Sequence, residues 1–327
     1  MNSYVYEPVL ENHLHEDHLA AALRADVLTG LGGAPKSLPP RWFYDARGSE
    51  LFEQITTLPE YYQTRLERGI LRTRAAEVAE LTAAATLSEL GSGSSEKTRL
   101  LLDALHAAGS LRKYVALDVS ETALRDSTGA IARDYPSVQV HGVVGDFTKH
   151  LDLLPATGPR LIAFLGSTIG NLLPDERIEF LASVRDTLNP GEWLLLGTDL
   201  VKDPDPLVRA YADAAGTTAE FNRNVLRVLN RELGANFDID SFDHVALWDA
   251  EHDWIEMRLR ATRNMLVQLT VLDTEVRFDT GEELRTEISA KFRPERLQAE
   301  LADTGFELTH LWTDPDNWFG LSLARAV

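Results

Sequence analysis

A short apolar strand, a glycine-containing turn and a helix follow one another within residues 86–98, and this run constrains the fold more strongly than any other. The turn reads Glu89-Leu-Gly-Ser-Gly93. Its two glycines let the backbone adopt positive φ and approach a ligand closely, as the first strand-to-helix turn of a nucleotide-binding parallel sheet requires. A glycine pair that turns the chain without binding a ligand is the alternative interpretation.

The next two predicted strands also end in residues suited to a nucleoside. Residues 113–118 form a strand that ends in Asp118, the position at which a carboxylate binds ribose hydroxyls in doubly wound folds. Residues 138–144 form another strand, and Asp146 and Phe147 follow it. These two side chains could hydrogen-bond to an adenine and stack on it.

Glu96 discriminates between the nucleotides that such a loop could bind. It stands where NAD-binding loops carry a third glycine, and where a phosphate-binding P-loop carries the glycine before its lysine. A carboxylate at that position would repel phosphate. S-adenosylmethionine therefore fits the loop better than a dinucleotide or a nucleoside triphosphate.

Length, charge and residue usage exclude several classes of function. The 327 residues exceed the size at which single cores stop growing, so we expect two domains or one large domain with an insertion. A net charge of −19 disfavours nucleic acids and anionic membranes and suits a small, cationic substrate. The lack of cysteine excludes disulfides, thiolate catalysis and Cys-ligated metals. Residues 1–18 do not resemble a signal peptide and no apolar run could span a membrane, so we expect a cytoplasmic protein, and a monomer.

Strands and helices alternate from residue 86 onward, a pattern typical of an α/β fold with a doubly wound, Rossmann-like sheet. Five parallel strands are predicted by residue 198, and a helix from Pro294 leads to two further core segments. The predicted strands cover residues 86–90, 113–118, 138–144, 160–166 and 193–198, the later core segments cover 306–312 and 319–323, and the predicted helices cover 19–28, 65–81, 121–133 and 174–188, with another beginning near 96.

The chain changes character after Asp203. A helix over residues 218–233 carries apolar side chains at four-residue spacing and ends at Gly234. Alternating apolar and charged residues over 255–261 and 267–271 predict antiparallel strands with one solvated face. This segment is therefore predicted to be an insertion in the α/β core.

These patterns predict two domains. The S-adenosylmethionine-binding domain is expected to consist of residues 66–201 plus 292–327. The second, α+β domain is expected to bind the substrate and to consist of residues 13–65 plus 202–291.

Two other segments carry ligand-type side chains. The turn Gly166-Ser-Thr-Ile-Gly-Asn171 follows a buried strand at the edge where ligands bind in open α/β sheets, and helix capping is the alternative role of Asn171. Residues 39–65 concentrate prolines, tyrosines and charges, and the tyrosines could orient an amine while their rings enclose it. A hydrophobic cover over the sheet edge is the alternative role of this segment.

Five motifs carry a resemblance to a known family. They are Trp42-Phe-Tyr-Asp-Ala-Arg-Gly-Ser49, Leu58-Pro-Glu-Tyr-Tyr62, Glu89-Leu-Gly-Ser-Gly93 with Lys97-Thr98, Phe164-Leu-Gly-Ser-Thr-Ile-Gly-Asn171 and Lys291-Phe-Arg-Pro294. From about residue 15 to its C-terminus the chain resembles the histidine-specific N-α-methyltransferases of ergothioneine biosynthesis. The resemblance implies trimethylation of the α-amino group of L-histidine to hercynine through mono- and dimethyl intermediates, with S-adenosylmethionine as co-substrate and no metal.

The resemblance also implies which residues form the site. The cofactor would be bound by Gly91, Lys97, Asp118, Asp146 and Phe147. The substrate amine and carboxylate would meet Tyr44, Tyr61, Gly166, Asn171 and Tyr211, with Phe52 lining the cavity, and the imidazole would meet Glu287 and Ser289, with Met257 beside it. Tyr44 and Tyr61 are the candidates for aligning the amine and passing on its proton.

Some of these residues have a different interpretation when the resemblance is set aside. Glu287 and Ser289 stand two apart in a predicted strand, so both side chains face one side, but Glu287 alone would be a solvated or salt-bridged group. Tyr211 would be a packing residue one turn into a helix that begins after Pro206. His13, His15 and His18 lack a convincing fourth ligand and do not indicate a metal site.

Three other hypotheses stay open on the sequence alone. A relative of this family could methylate another amine, such as an indole amino acid, and would then carry an apolar residue in place of Glu287. A non-enzymatic binding protein would be expected to have lost Asp118, Asn171 or the tyrosines. A dehydrogenase would bind NAD in preference to S-adenosylhomocysteine.

Overall fold

The computed structural model of the chain describes residues 7–14, 16–93 and 95–327. His15 of the histidine-containing segment and Ser94 of the glycine turn therefore lie outside the described residues. The helices are α1 Glu16–Gly32, α2 Ala46–Thr57, α3 Gln63–Thr82, α4 Arg99–Ala107, α5 Glu121–Asp134, α6 Pro174–Thr187, α7 Pro204–Tyr211, α8 Thr217–Leu233 and α9 Pro294–Asp303. The strands are β1 Val9–Asn12, β2 Lys36–Ser37, β3 Thr86–Leu90, β4 Lys113–Asp118, β5 Gln139–Val144, β6 Arg160–Phe164, β7 Trp193–Asp199, β8 Phe242–Asp249, β9 Trp254–Ala261, β10 Met265–Leu269, β11 Thr274–Phe278, β12 Glu283–Ala290, β13 Phe306–Thr313 and β14 Phe319–Ala326.

The chain divides into two compact units. The first unit comprises Gln63–Val201, Phe292–Val327 and the described part of Met1–Leu14, and the second comprises Lys202–Lys291 and the described part of His15–Tyr62. The bounds differ from the sequence-based domains in residues 13–14 and 63–65, which lie in the first unit.

The first unit contains an eight-stranded sheet in the order β1-β5-β4-β3-β6-β7-β14-β13. The predicted doubly wound α/β sheet is confirmed: β3 to β7 are parallel, and β14 pairs antiparallel with both β7 and β13. All residues of β3 and β6 are buried, as expected for strands covered on both faces. The strand order reverses between β3 and β6, so the loops after these strands lie side by side at the carboxyl edge.

Strand β1 was not predicted from the sequence. It adds a sixth parallel strand beside β5, and His13 N–H donates to the Val144 carbonyl at 2.9 Å where the pairing ends. The strand has only four residues and three of them are exposed, so it shows no alternation of apolar and polar residues. Its position depends on backbone pairing with an edge that the rest of the sheet supplies.

The second unit contains the four-stranded sheet β2-β12-β9-β8, the two-stranded sheet β10-β11, and helices α1, α2, α7 and α8. The predicted helix over 218–233 is confirmed as α8, which ends at Gly234 in the left-handed conformation with φ of 57°. The predicted antiparallel pairing of this region is also confirmed for β8, β9 and β12.

Two details of the predicted antiparallel sheet were wrong. Glu256 is buried rather than solvated. Its carboxylate is compensated by hydrogen bonds from the Trp254 indole at 3.0 Å and the Arg258 guanidinium at 2.6 Å. The strand predicted over 267–271 ends at Leu269, and a 3-10 turn follows it. The alternation of apolar and charged residues predicts neither the burial of Glu256 nor the position of this turn.

Helices α1 to α9 include none that is long and apolar enough to cross a membrane within the described residues.

Candidate active site

The glycine turn after β3 has the positive φ angles that its sequence suggested. Gly91 and Gly93 have φ of 65° and 49°, and Ser95 also has positive φ, at 54°. Helix α4 therefore begins at Arg99 and not near residue 96, because a left-handed residue and a turn precede it. A Cβ built on Gly91 or Gly93 meets no described atom within 4 Å, so there is open space beside the turn.

Asp118 connects the end of β4 to the glycine turn. One carboxylate oxygen accepts from the Gly93 N–H at 2.9 Å, and the other accepts from the Ser120 N–H at 2.9 Å. Burial raises the pKa of Asp118, and these backbone hydrogen bonds partly oppose the rise. The carboxylate therefore holds the turn in place and stands at the strand end that the sequence assigned to a ribose.

Asp146 and Phe147 lie at the next strand end. Asp146 accepts from the N–H and the hydroxyl of Thr148, at 2.9 and 2.7 Å, and so stabilises its own turn. The ring of Phe147 is partly exposed and packs against Phe164 and Phe180, with centroids 5.1 and 5.6 Å away. The ring is held by packing while one part of it remains accessible to a ligand.

Glu67, a buried carboxylate on α3, was not among the predicted site residues. It accepts from the Gly166 N–H at 2.8 Å and pairs with the Lys97 ammonium, and its side chain has no exposed surface. A Cβ at Gly197 would collide with the same carboxylate. Glu67 thus joins α3 to the glycine turn, the turn after β6 and strand β7.

A signal for Glu67 exists in the sequence. It stands on the buried stripe of α3, four residues before Leu71 and eight before Ala75. A charged residue at a core position needs partners, so its place on the stripe indicates a structural or functional contact.

Glu89 is a second buried carboxylate that the motif contained without an assigned role. It accepts from the Tyr114 hydroxyl at 2.6 Å and from the Thr98 hydroxyl, and the Ser95 and Tyr114 hydroxyls are 2.9 Å apart. Burial raises the pKa of Glu89 to about 7, although the bonds from Thr98 and Tyr114 favour the charged form. The network ties the last turn before α4 to strands β3 and β4.

The turn after β6 combines two residues with left-handed backbone. Gly166 and Ser167 have φ of 78° and 60°, and the 3-10 turn Thr168–Asn171 follows. The Ser167 hydroxyl accepts from the Asp199 N–H at 2.9 Å, which fixes the turn against β7. Asn171 does not cap α6, whose N-cap is Leu173, so the alternative role considered for it was wrong.

The predicted aromatic residues of the second unit form a row of ring contacts. Tyr44 contacts Phe52 with centroids 5.6 Å apart, Phe52 contacts Tyr61 at 6.2 Å, and Tyr61 contacts Tyr211 at 6.5 Å. All three pairs meet edge to face, an arrangement that aromatic rings favour. Phe221 of α8, which the sequence indicated only as a packing residue, contacts both Tyr44 and Phe52.

A polar cluster lies at the Tyr211 end of this row. Tyr211 is the last residue of α7, which begins at Pro204 and not after Pro206. Its hydroxyl donates to the Ser289 hydroxyl at 2.7 Å, and the buried Lys291 ammonium donates to both oxygens, at 2.9 Å to Ser289 and 3.1 Å to Tyr211. Lys291 belonged to a recognised motif, but no role was predicted for it.

Glu287 and Met257 belong to the strand of Ser289 and to the strand paired with it. Both Glu287 and Ser289 are on β12, as predicted, and two residues apart, so their side chains leave the strand on the same side. Met257 of β9 is the direct partner of Glu287 in the sheet register, which places the two side chains next to each other.

His244 of β8 hydrogen-bonds to the backbone of Tyr211. The Asn222 amide N–H₂ can only donate, so the His244 Nδ1 at 2.8 Å accepts, and Nε2–H donates to the Tyr211 carbonyl at 2.8 Å. The Asn222 carbonyl in turn accepts from the Thr286 hydroxyl at 2.6 Å. Burial lowers the pKa of His244, which favours this neutral ring.

Within the ranges that the structure describes, no three His, Asp or Glu side chains are grouped so that they could hold a metal ion. This includes His13 and His18 but not His15.

Comparison with known proteins identifies the family. A family model described as histidine-specific methyltransferase, SAM-dependent, matches residues 23–326. The chain belongs to this family. The family predicted from the five motifs is thereby confirmed, and with it a methyltransferase that uses S-adenosylmethionine.

Two close relatives match over nearly the whole chain. A histidine N-alpha-methyltransferase of Mycolicibacterium smegmatis is 58% identical over 96% of this chain and 98% of its own length. A histidine N-alpha-methyltransferase of Mycobacterium tuberculosis is 56% identical, with the same coverage. A more distant relative, ergothioneine biosynthesis protein 1 of Neurospora crassa, is 34% identical over 88% of this chain and 33% of its own length.

The raised pKa of Glu89 makes the stability of the protein depend on pH. The unfolded chain titrates this group near 4.5 and the folded chain near 7, so the folded state holds the proton more tightly between these values. The stabilisation is complete below pH 4.5 and is lost as the pH rises through 7. Between pH 5 and 8 we expect the thermal midpoint of the native protein to fall more than that of Glu89→Gln. The difference corresponds to about 3 kcal/mol in the free energy of unfolding. Parallel pH profiles from differential scanning fluorimetry would contradict this.

Proposed function

We propose that this protein transfers three methyl groups from S-adenosylmethionine to the α-amino nitrogen of L-histidine and so forms hercynine in ergothioneine biosynthesis. Membership in a histidine-specific family and the similarity to two mycobacterial histidine N-alpha-methyltransferases support the substrate. The observation that carries the proposal is the row of aromatic contacts from Tyr44 to Tyr211, which ends in the polar cluster of Ser289 and Lys291.

We assign the cofactor to the first unit. The glycine turn after β3 and the side chains at the ends of β4 and β5 would hold it, and the open space beside Gly91 and Gly93 suits a ligand that lies against the backbone. S-adenosylmethionine supplies a methyl group on a sulfonium. The proposed cofactor residues are Gly91, Lys97, Asp118, Asp146 and Phe147.

We assign histidine recognition to the residues that the family resemblance implies. The amine and carboxylate would meet Tyr44, Tyr61, Gly166, Asn171 and Tyr211, with Phe52 beside them, and the imidazole would meet Met257, Glu287 and Ser289. Methyl transfer is an in-line displacement, so alignment of the amine with the methyl carbon is the main task and can contribute roughly 7 to 11 kcal/mol.

The nucleophile has to be the neutral amine. An α-amino group has a pKa of roughly 8, so much of it is protonated at neutral pH. Tyr44 and Tyr61 are the candidates for orienting the nitrogen lone pair and relaying its proton to water. The nitrogen grows with each transfer and ends as a quaternary cation. Tyrosine and phenylalanine faces attract such a cation whatever its number of methyl groups, so the mono- and dimethyl intermediates can rebind to the same row of rings.

The direct test is mass spectrometry of L-histidine incubated with the protein and S-adenosylmethionine. We expect a gain of three methyl groups on histidine, and no methylation of tryptophan, which lacks the imidazole, or of histamine, which lacks the carboxylate. Methylation of tryptophan in preference to histidine would overturn the substrate assignment and leave the cofactor assignment intact.

Glu287→Ala should weaken histidine binding far more than cofactor binding. The variant removes the acceptor proposed for the imidazole N–H, and a buried polar group without its partner lowers affinity strongly. We expect the dissociation constant for histidine to rise at least ~100-fold in isothermal titration, with that for S-adenosylhomocysteine changed less than ~3-fold. The matched control is Glu283→Ala on the same strand, whose carboxylate bonds to Arg258 and Arg260. Equal losses of both affinities in Glu287→Ala would contradict the assignment.

Glu67→Gln should weaken cofactor binding, although Glu67 is not one of the residues proposed to contact the cofactor. The amide can still accept from Gly166 N–H but loses the charge that holds Lys97. Since a hydrogen bond to a charged group contributes about 1.5 to 3 kcal/mol, we expect S-adenosylhomocysteine to bind roughly tenfold more weakly.

The control for Glu67→Gln is Glu96→Gln in the same turn region. Glu96 pairs with Arg68 on the surface, where its side chain is 67% exposed, and such pairs contribute little. An unchanged cofactor affinity in Glu67→Gln, or an equal loss in both variants, would show that the buried pair does not position Lys97 for the cofactor.

A further inference from the structure

Lys291 is a buried cation that the proposed mechanism leaves without a task. Its residue is 4% exposed, and lysine is rarely buried this deeply unless its ammonium is paired. The ammonium lies 4.8 Å from the centroid of the Tyr211 ring and donates to the hydroxyls of Tyr211 and Ser289. It therefore acts on two of the residues to which substrate binding is assigned.

The hydrogen bonds of this cluster fix the direction in which Ser289 can bond to a ligand. Its oxygen accepts from the Tyr211 hydroxyl at 2.7 Å and from the Lys291 ammonium at 2.9 Å. A hydroxyl has two lone pairs and one hydrogen, so both acceptor positions are in use. The remaining hydrogen takes part in no hydrogen bond with a residue that the structure describes. Ser289 can therefore offer a ligand a donor and no acceptor.

Glu287 has the opposite polarity. A carboxylate can only accept, and it leaves β12 on the same side as Ser289, two residues before it. The pair thus presents one acceptor and one donor. A neutral imidazole has the matching groups, one N–H and one lone pair, whereas imidazolium has two N–H groups and no lone pair. Imidazolium would point an N–H at the Ser289 hydrogen and bring a second positive charge near Lys291.

We infer that Lys291 is a positioning residue that makes Ser289 a dedicated donor and thereby selects the neutral imidazole ring of the substrate. The inference rests on the proposed function, in which Glu287 and Ser289 bind the ring. It deepens that function, because it assigns the protonation state in which histidine binds. Without the ammonium, Ser289 would recover a lone pair and could accept from a second N–H.

The titratable groups around the cluster within the second unit come from several segments. Lys291 directly follows β12, Glu287 lies on that strand two residues before Ser289, and Tyr211 belongs to α7. The Tyr61 ring contacts the Tyr211 ring, with centroids 6.5 Å apart, and His244 of β8 bonds to the Tyr211 carbonyl. Strand β9 contributes Met257, which does not titrate.

The first test needs no variant. Ring-¹⁵N-labelled L-histidine is bound to the native protein with S-adenosylhomocysteine at pH 5.5, where the free ring, with a pKa near ~6.5, is mostly protonated. We expect one pyrrole-type and one pyridine-type ¹⁵N resonance, the signature of a neutral ring. Two pyrrole-type resonances, which indicate bound imidazolium, would overturn the inference.

The second test separates the hydrogen bond of Lys291 from its charge. Lys291→Met removes every donor, whereas Lys291→Gln keeps an N–H donor without the charge. Affinities for L-histidine are compared with those for pyrrol-2-ylalanine and pyrrol-3-ylalanine, which have a ring N–H but no lone-pair nitrogen. In the native protein the better pyrrole analogue should bind ~100-fold more weakly than histidine, because it leaves the Ser289 hydrogen unpaired.

Lys291→Met should reduce this discrimination to ~10-fold or less, because Ser289 can then turn its hydrogen to another acceptor, and Lys291→Gln should keep it near ~100-fold. Lys36→Met is the control, since Lys36 is a partly buried lysine of the same unit that pairs with Glu282. Unchanged discrimination in Lys291→Met would overturn the inference.

The two tests distinguish this inference from the proposed function. Histidine that binds and is methylated but is held as imidazolium refutes only the role of Lys291. A native protein that binds no histidine refutes the proposed function itself. If Lys291→Met does not fold, as judged by lost binding of S-adenosylhomocysteine, the ¹⁵N spectrum of the native complex decides alone.

Discussion

Burial of the Glu67 carboxylate is the constraint on which the loops of the proposed cofactor site depend. A carboxylate with no exposed surface has to be paired, and breaking such a pair costs about 3 to 5 kcal/mol. Its partners are Lys97 and the Gly166 N–H, and its position requires a glycine at residue 197. One side chain therefore fixes two loops at the point where the strand order reverses.

Glu89 and Asp118 complete this framework from the neighbouring strands. Glu89 holds Thr98 and Tyr114, and Asp118 holds the Gly93 N–H. Each of these carboxylates accepts hydrogen bonds from residues outside its own strand, so the turn after β3 is fixed before any ligand binds. Such preorganisation lets binding free energy go into aligning the reacting atoms and not into ordering the loop.

In the proposed function the second unit meets a different demand, since a nitrogen that is methylated three times changes its size and its charge. Rings from Tyr44 to Tyr211 offer attraction that does not depend on the number of N–H groups left. Recognition of the rest of the substrate has to be strict, and hydrogen bonds with a fixed direction provide this. The buried ammonium of Lys291 and the ring of His244 hydrogen-bond to Tyr211 and Ser289, and in the proposed function they would hold these two residues for that purpose.

The sequence by itself determined what depends on local geometry and on position along the chain: the five parallel strands, the turn at Gly91 and Gly93, helix α8 and the family. Glycine at positive φ, strand ends and apolar periodicity all act over a few residues, so they can be recognised without a structure. Tertiary structure alone decided the contacts of Glu67, Lys291 and Phe221, the burial of Glu256 and the place of β1. Glu67, Phe221 and β1 contact segments that are distant in sequence, and for each charged residue only the folded chain decides whether it is solvated or buried.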